Sequence, residues 1–232
     1  MVEYNSRETR HKFIAEKFGS YLNGSVLNIG GGGQKHMLKY IQPKEYLELD
    51  VNGHPDLKVD LDKSYPLPIE SRRFDTVICT DVLEHLEELH RVFQELIRIS
   101  NKYIIISVPN ALTAVRNYIK REEYIGDAGE AGIDVGRYTK FYGLPLKKPH
   151  DRHRWFFSYT EAEEFFHKNA QEFGYKILAE YSIGSKASSL KGKVARLCIR
   201  YLMGEHAMKD WFCSSYWCVL EKHPHERSEV GN

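Results

Sequence analysis

The chain has 232 residues, enough for one large domain or two small ones. Hydrophobic residues make up 42% and charged residues 28%, which is ordinary globular usage and excludes a disordered or low-complexity protein. The 33 Lys and Arg residues nearly balance the 32 Asp and Glu residues, and a net charge of +1 argues against a dedicated nucleic-acid binder. The sequence contains neither a long apolar run nor a signal-peptide pattern, so we expect a cytoplasmic protein with reduced cysteines.

Strands and helices alternate along the first half of the chain. Apolar residues at helical spacing predict helices over residues 7–21, 36–41 and 83–100. Short apolar runs predict strands over residues 26–29, 45–51, 74–80 and 103–108. Near-continuous apolar strands separated by helices predict a parallel, doubly wound α/β sheet that is covered on both faces.

After Pro109 the alternation is interrupted by two inserts. The first, residues 111–157, ends in the aromatic and basic segment HDRHRWFF and is interpreted as a lid or binding loop. A helix follows that is predicted to begin at Thr160, with Glu163 as its capping-box partner, and to end at Gly174. Strands over 176–181 and 216–221 flank the second insert, the basic helical residues 183–210. We expect a single domain over residues 1–222 and a flexible tail over 223–232.

A glycine loop follows the first predicted strand, which ends in Gly30–Gly33. Glycine allows a tight turn with positive φ and lets a ligand approach the backbone closely. Asp50 ends the next strand, where a carboxylate can accept hydrogen bonds from both hydroxyls of an adenosine ribose. The dinucleotide fingerprint G-x-G-x-x-G is incomplete because Lys35 occupies its last position, and a sulfonium cofactor, which carries no phosphate, does not need it.

Four segments in this order, VLNIGGGG, EYLELDV, VDLDKSYPLPIESRRFDTVICTDVLEHL and YIIISVPN, resemble the class I S-adenosylmethionine-dependent methyltransferases. The resemblance is strong over residues 12–110, especially to small stand-alone enzymes with a DVLEH segment, and continues more weakly through HDRHRWFFSYTEAEEFF. It implies a Rossmann-like, mostly parallel seven-stranded sheet in three α-β-α layers, with an antiparallel last strand over 216–221. It also implies S-adenosylmethionine as the cofactor and methyl transfer as the reaction.

The resemblance assigns a role to each matching position near the cofactor. Gly30 and Gly32 would form the turn under the methionine part and the ribose, and Asp50 would hold the ribose hydroxyls. Two pairs complete the set: Asp60 and Leu61 beside the adenine, and Asp81 and Val82 near the sulfonium. Asn28 stands where the family usually has an acidic residue, and Gln34 where it often has a third glycine.

Catalytic candidates come from two histidine-containing segments. A base is needed only when the acceptor must lose a proton, and His85 in DVLEH is the first candidate, with structural capping of a helix as the alternative. His153 is the second candidate, through contact with the acceptor. His150 and Asp151 suggest a metal site with His153, but no metal site is assigned. Glu84 and Glu87 are interpreted as the solvated first turn of the helix over 83–100.

The acceptor is expected to be a small molecule or a glycan-type metabolite, with no nucleic-acid partner. The basic helical stretch over 186–202 could contact an anionic membrane surface weakly, or could be an ordinary amphipathic cover helix. Two alternatives to a methyltransferase stay open. A non-catalytic binding protein with this fold is favoured by Asn28 and Gln34, whereas Lys35 argues against an NAD-dependent oxidoreductase.

Overall fold

The structure is a computed structural model that describes residues 6–113, 115–116, 153–184 and 190–223. Most of the first insert lies outside these residues, and so does the predicted tail after residue 223.

Seven strands form one sheet: β1 Ser25–Ile29, β2 Glu45–Asp50, β3 Leu57–Lys58, β4 Phe74–Thr80, β5 Ser100–Pro109, β6 Tyr175–Gly184 and β7 Cys213–Lys222. Their order across the sheet is β3-β2-β1-β4-β5-β7-β6. Neighbours from β3 to β5 are parallel, and β7 is antiparallel to both β5 and β6. This confirms the predicted mostly parallel seven-stranded sheet with an antiparallel last strand. The strand order reverses between β1 and β4, which is where a doubly wound sheet opens a ligand crevice at the carboxyl ends of its strands.

The two faces of the sheet are covered by α1 Arg7–Phe18, α2 Leu89–Ile99 and α3 Tyr159–Glu172. Helix α4 Leu190–Phe212 precedes β7, and 3-10 turns lie at Gly19–Tyr21, His36–Lys39 and Leu83–His85. One apolar core lies between the sheet and helices α2 and α3, and a second lies between the opposite face and α1. Successive residues of a strand, such as Val77 and Ile78 in β4, belong to different cores. This confirms the predicted three-layer arrangement.

The helix predicted over 83–100 is shorter in the structure. Residues Leu83–His85 form a 3-10 turn, the chain becomes extended at Leu86 with ψ 134°, and α2 begins only at Leu89. The interruption has a tertiary cause, because the carbonyl of Leu86 accepts a 2.6 Å hydrogen bond from the indole Nε1 of Trp155. A regular helix would direct that carbonyl along its own axis instead.

The predicted capping box of the next helix is displaced by two residues. Ser158 is the N-cap of α3, and its partner is Glu161 rather than Glu163. Thr160 instead uses its backbone N–H and its hydroxyl to bind the carboxylate of Asp210, at 2.8 and 2.7 Å. The predicted end of the helix is correct, since Gly174 has a left-handed φ of 70°.

The sequence predicts reduced, mostly buried cysteines, and all four are free thiols in the structure. Burial raises the pKa of the Cys79 and Cys218 thiols, which keeps both protonated. Cys198 differs from the expectation of buried thiols, because it is exposed on α4. Among the helices of the described ranges, none combines the length and apolar composition needed to cross a membrane.

Helix α1 is held to the sheet by an aromatic cluster. Phe18 is fully buried and stacks on Trp217 of β7, with ring centroids 5.8 Å apart, and it meets Tyr181 of β6 edge-on at 5.4 Å. Phe13 adds an edge contact to Trp217 at 5.0 Å. The position of α1 over the sheet therefore depends on these rings.

Replacing Phe18 with Ala removes the central ring of this cluster. We expect a loss of about 3–5 kcal/mol in the free energy of unfolding, because a buried aromatic side chain is lost and a cavity remains. Urea unfolding followed by tryptophan fluorescence measures this change. The matched control is Leu178→Ala on β6, whose side chain is more than a third exposed. The control should change stability by less than about 1 kcal/mol, and equal losses in both variants would contradict the proposed role of the cluster.

Candidate active site

The glycine loop after β1 is a turn with no room for side chains. Gly30, Gly32 and Gly33 have φ angles of 78°, 79° and 75°, which side-chain-bearing residues rarely adopt. A β-carbon at Gly30 would collide with the side chain of Val82, and one at Gly33 would collide with the backbone of His54. The loop is therefore packed between Val82, just after β4, and the segment after β2.

Asp50, at the end of β2, fixes this loop from one side. Its carboxylate accepts hydrogen bonds from the backbone N–H of Gly32 and of Asn52, both at 2.8 Å. Each carboxylate oxygen has a second lone pair, so Asp50 can still accept hydrogen bonds from a ligand. The predicted neighbours Gly30, Gly32, Asp50 and Val82 are thus brought together at the switch point.

Asn28 is part of a buried polar network under the loop. Its side-chain Nδ2 donates to the hydroxyl of Tyr46 at 2.9 Å, and that hydroxyl donates to Oε1 of Glu48 at 2.8 Å. Glu48 is the cross-strand partner of Asn28 and is only 1% exposed. The second carboxylate oxygen of Glu48 accepts a hydrogen bond from the backbone N–H of Lys35 at 3.1 Å. Burial and the Glu48 carboxylate together raise the pKa of Tyr46, so the phenol stays a hydrogen-bond donor.

Glu48 carries an acidic group that Asn28 lacks. A β-carbon at Gly31 would lie 2.7 Å from both Asn28 Nδ2 and Glu48 Oε1, so the loop rests directly on this pair. The carboxyl group absent from β1 is therefore present one strand away, on β2. Glu48 was not identified from the sequence, although a glutamate inside an otherwise apolar strand was a usable signal.

Asp81 lies at the end of β4 in the left-handed region, with φ 53°. Asp tolerates this conformation better than most residues. Two hydrogen bonds of 2.6 Å hold its carboxylate, one from the hydroxyl of Ser107 and one from the guanidinium of Arg10. Helix α1 thereby reaches over the carboxyl ends of the strands and brings a positive charge to the crevice. Arg10 was not identified from the sequence, because its role depends on a contact 71 residues away.

Asp60 and Leu61, the two residues predicted beside the adenine, both contact other parts of the protein. The carboxylate of Asp60 accepts hydrogen bonds from the ammonium of Lys63 at 2.7 Å and from the backbone N–H of Asp62 at 3.1 Å. The hydrogen bond from Lys63 lowers the pKa of Asp60. The side chain of Leu61 is buried in the core beside α2. An adenine contact through either residue stays a prediction.

Glu84, His85 and His153 form a cluster directly after Val82. Each offers one possible ligand atom, and these atoms lie within 4.8 Å of one another. Oε1 of Glu84 is 3.6 Å from Nε2 of His85, and the two imidazole rings meet edge-on with centroids 4.4 Å apart. The expectation that Glu84 is solvated is wrong, since only 1% of it is exposed. His150 and Asp151 lie outside the described residues.

Backbone hydrogen bonds bring the two parts of this cluster together. The N–H groups of Arg154 and Trp155 both donate to the carbonyl of Glu84, at 2.7 and 3.3 Å. Nε of Arg154 donates to the carbonyl of His85 at 2.9 Å, and its Nη1 pairs with Glu87 at 2.7 Å. Glu87 is exposed as expected, but it lies before α2 rather than in the first turn of that helix. The predicted catalytic residues His85 and His153 are therefore neighbours at the end of β4, joined by a buried carboxylate that the sequence analysis placed in solvent.

Comparison with solved structures shows where this fold recurs. A SAM dependent methyltransferase from Archaeoglobus fulgidus is 19% identical, with a TM-score of 0.52 over 94% of this chain and 95% of its own. The methyltransferase domain of bacterial CtHen1-C is 15% identical, with a TM-score of 0.54 over 95% and 100%. The small RNA methyltransferase HEN1 is 12% identical, with a TM-score of 0.56 over 97% of this chain and 26% of its own.

A family model described as a methyltransferase domain matches residues 4–180, which is well over half of the chain and includes every described site residue. The search of curated proteins gave no match. The family match sets aside the oxidoreductase and non-catalytic alternatives. This chain belongs to the methyltransferase domain family, and it is an enzyme that uses S-adenosylmethionine as its cofactor.

Proposed function

We propose that this enzyme transfers the methyl group to a hydroxyl oxygen of a small-molecule or glycan-type acceptor. The observation that carries the proposal is the cluster of Glu84, His85 and His153, which follows Asp81 and Val82 at the end of β4. An oxygen nucleophile must lose a proton, whereas an amine can attack through its lone pair. Acid–base groups at this position suit a hydroxyl acceptor.

The residues at the switch point match two parts of the cofactor, the ribose and the amino-acid end. Asp50 has free acceptor capacity for the ribose hydroxyls, beside the glycine loop that its carboxylate holds. The amino-acid end of the cofactor carries an ammonium and a carboxylate. Arg10 and Asp81 supply one charge of each sign at the end of β4, so we assign that end of the cofactor to this pair.

S-adenosylmethionine supplies the methyl group: the carbon–oxygen bond forms as the carbon–sulfur bond breaks, and its electron pair goes to sulfur, which becomes a neutral thioether. The protein contributes first by holding the acceptor oxygen in line with the methyl group. It contributes second by assisting loss of the hydroxyl proton. The cluster can do so in two ways, either with an imidazole as general base or with a cation that lowers the pKa of the hydroxyl.

The net charge and the contacts near the end of β4 support the proposed class of acceptor. A net charge of +1 provides little attraction for a polyanion such as RNA or DNA. Arg10 on one side and the segment of residues 153–155 on the other are both bonded to the end of β4. These contacts and the near-neutral charge are what support a small polar acceptor.

The first prediction concerns the cofactor. Asp50→Ala removes the carboxylate that fixes the loop and that we assign to the ribose. Because a hydrogen bond to a charged group contributes about 1.5–3 kcal/mol, the affinity for S-adenosylhomocysteine should fall at least about tenfold. Isothermal titration calorimetry measures the change. The matched control is Asp75→Ala at the opposite end of the sheet, whose carboxylate also accepts a backbone N–H, from Ser25 at 3.1 Å. An unchanged affinity in Asp50→Ala would remove the ribose assignment.

The second prediction concerns the acceptor. The enzyme, incubated with methyl-labelled cofactor and fractionated cell extract, should place the label in small, acid-soluble material. Mass spectrometry should then locate the methyl group on a hydroxyl oxygen. Nuclease-treated and protease-treated extracts serve as controls and should leave the labelled product unchanged. Because one neighbour in fold is named as an RNA methyltransferase, label that becomes sensitive to ribonuclease would contradict the proposed acceptor class.

A further inference from the structure

Glu84, His85 and His153 have the composition of a metal site. One carboxylate oxygen and two imidazole nitrogens are a donor set that binds divalent transition metals and leaves positions open for water or substrate. Ligand atoms about 2.0–2.2 Å from one metal ion lie about 3–3.6 Å apart in tetrahedral or cis-octahedral geometry. Oε1 of Glu84 and Nε2 of His85 are already 3.6 Å apart. All three donors lie within 4.8 Å of one another, so side-chain rotations that move them by roughly 1 Å bring them to bonding positions.

The cluster is also held in place before any ion binds. Main-chain groups of Arg154 and Trp155 are bonded to the carbonyl of Glu84, and the indole of Trp155 is bonded to the carbonyl of Leu86. These contacts fix the backbone on both sides of the donor atoms. A preorganised set of ligands loses less conformational entropy when it binds an ion.

The burial of Glu84 favours a cation over a simple acid–base pair. A carboxylate that is 1% exposed has lost most of its hydration, and its negative charge attracts a dication more strongly than it would at the surface. His85 is partly accessible, which gives an ion and an acceptor a route to the same point. A lone general base would need only one of the three side chains.

We propose that Glu84, His85 and His153 bind one divalent transition-metal cation, and that its open positions take the acceptor hydroxyl. This assignment of the acceptor's ligand rests on the proposed methyl transfer to oxygen. The bound cation lowers the pKa of the hydroxyl, whose proton leaves to solvent water, and the resulting oxygen anion attacks the methyl group. The two histidines then act as metal ligands rather than as bases.

The test uses the full chain after treatment with a chelator, with Mn²⁺ followed by electron paramagnetic resonance and Co²⁺ by visible absorption. One ion per chain should bind. Each of Glu84→Gln, His85→Gln and His153→Gln should weaken binding at least tenfold. The matched control is His167→Gln, because His167 also faces a carboxylate, Glu180 at 2.9 Å, on the surface. Affinity for S-adenosylhomocysteine, measured on every variant, shows that each is folded.

The outcomes separate this site from the proposed function. Binding of one ion that is lost in the three variants and kept in His167→Gln supports the site, whatever the acceptor is. The proposed site is overturned if neither Mn²⁺ nor Co²⁺ binds. It is also overturned if binding survives Glu84→Gln and His153→Gln. Methylation of a hydroxyl at full rate by the metal-free enzyme overturns the proposed role of the cation in removing the proton, and in that case the proposed acceptor class stands.

Helix α4 carries a second inference, from an independent observation. Its first part, up to a break at Gly204 with φ 90°, contains no buried residue. Leu190, Leu197 and Tyr201 are 77%, 67% and 87% exposed. An ordinary cover helix would bury these side chains against the domain, so the simple interpretation of this insert does not account for them.

The exposed side chains form one stripe with basic residues beside it. At about 100° per residue, Leu190, Val194, Leu197 and Tyr201 lie within about 60° of one another on the helix. Lys191 flanks the stripe on one side, and Lys193 and Arg200 flank it on the other. The guanidinium of Arg196, on the face away from the stripe, lies 4.7 Å from the ring of Phe212. The stripe therefore points away from the domain.

We infer that this stripe rests on an anionic lipid surface. Leucine and tyrosine side chains at the centre with Lys and Arg at the edges match an interfacial helix, in which apolar groups enter the acyl boundary and cations stay among the headgroups. Residues 190–203 contain four Lys or Arg residues and no Asp or Glu. This charge favours anionic lipid over a basic or apolar protein partner.

Vesicle flotation of the full chain tests the inference, with phosphatidylcholine alone and with phosphatidylcholine containing about a third phosphatidylglycerol. Binding should require the anionic lipid and should fall at least tenfold in Leu197→Ser/Tyr201→Ser and in Lys191→Gln/Lys193→Gln. Leu178→Ser on β6 is the matched control for an exposed leucine. The inference is overturned if the chain does not bind vesicles, or if both double variants bind as well as the original chain. It is also overturned if sedimentation shows a dimer that dissociates in Leu197→Ser/Tyr201→Ser.

Discussion

The packing of a turn without side chains between two strand ends is the constraint on which the site depends. At Gly30 the side chain of Val82 occupies the space of a β-carbon, and at Gly31 the buried pair Asn28 and Glu48 does so. The backbone therefore fills the switch point itself. The hydrogen bond from Gly32 to Asp50 joins the turn to β2, so a ligand in the crevice meets one rigid unit made of backbone and a single carboxylate.

Charge in the crevice is distributed over several strands rather than concentrated at one position. Glu48 lies under the loop and Glu84 lies after β4, and both are almost completely buried. The negative charge of Asp81 between them is offset by Arg10. The carboxyl group that Asn28 does not supply is present one strand away, at its cross-strand partner Glu48.

The sequence was sufficient for features that depend on local period and on turn chemistry. The long strands, the glycine loop and the position of Asp50 all follow from short apolar runs and from the residues that end them. The two-residue strand β3 is too short to have a period. The sequence pattern predicts that Glu84 lies in the solvated first turn of a helix, whereas in the structure residues 153–155 pack against it. The capping box could not be chosen locally, because Ser158 with Glu161 and Thr160 with Glu163 both fit the pattern, and the distant Asp210 decides between them.

Two segments that are separate in the sequence act as one structural unit at the end of β4. The DVLEH segment supplies Glu84 and His85, and the segment that closes the first insert supplies His153. The hydrogen bonds from residues 154 and 155 to Glu84, His85 and Leu86 all end on backbone carbonyls. The 3-10 turn and the extended residue Leu86 are what direct those carbonyls outward, which a regular helix starting at residue 83 would not do. The interruption that periodicity failed to predict is therefore the feature that brings His153 to the site.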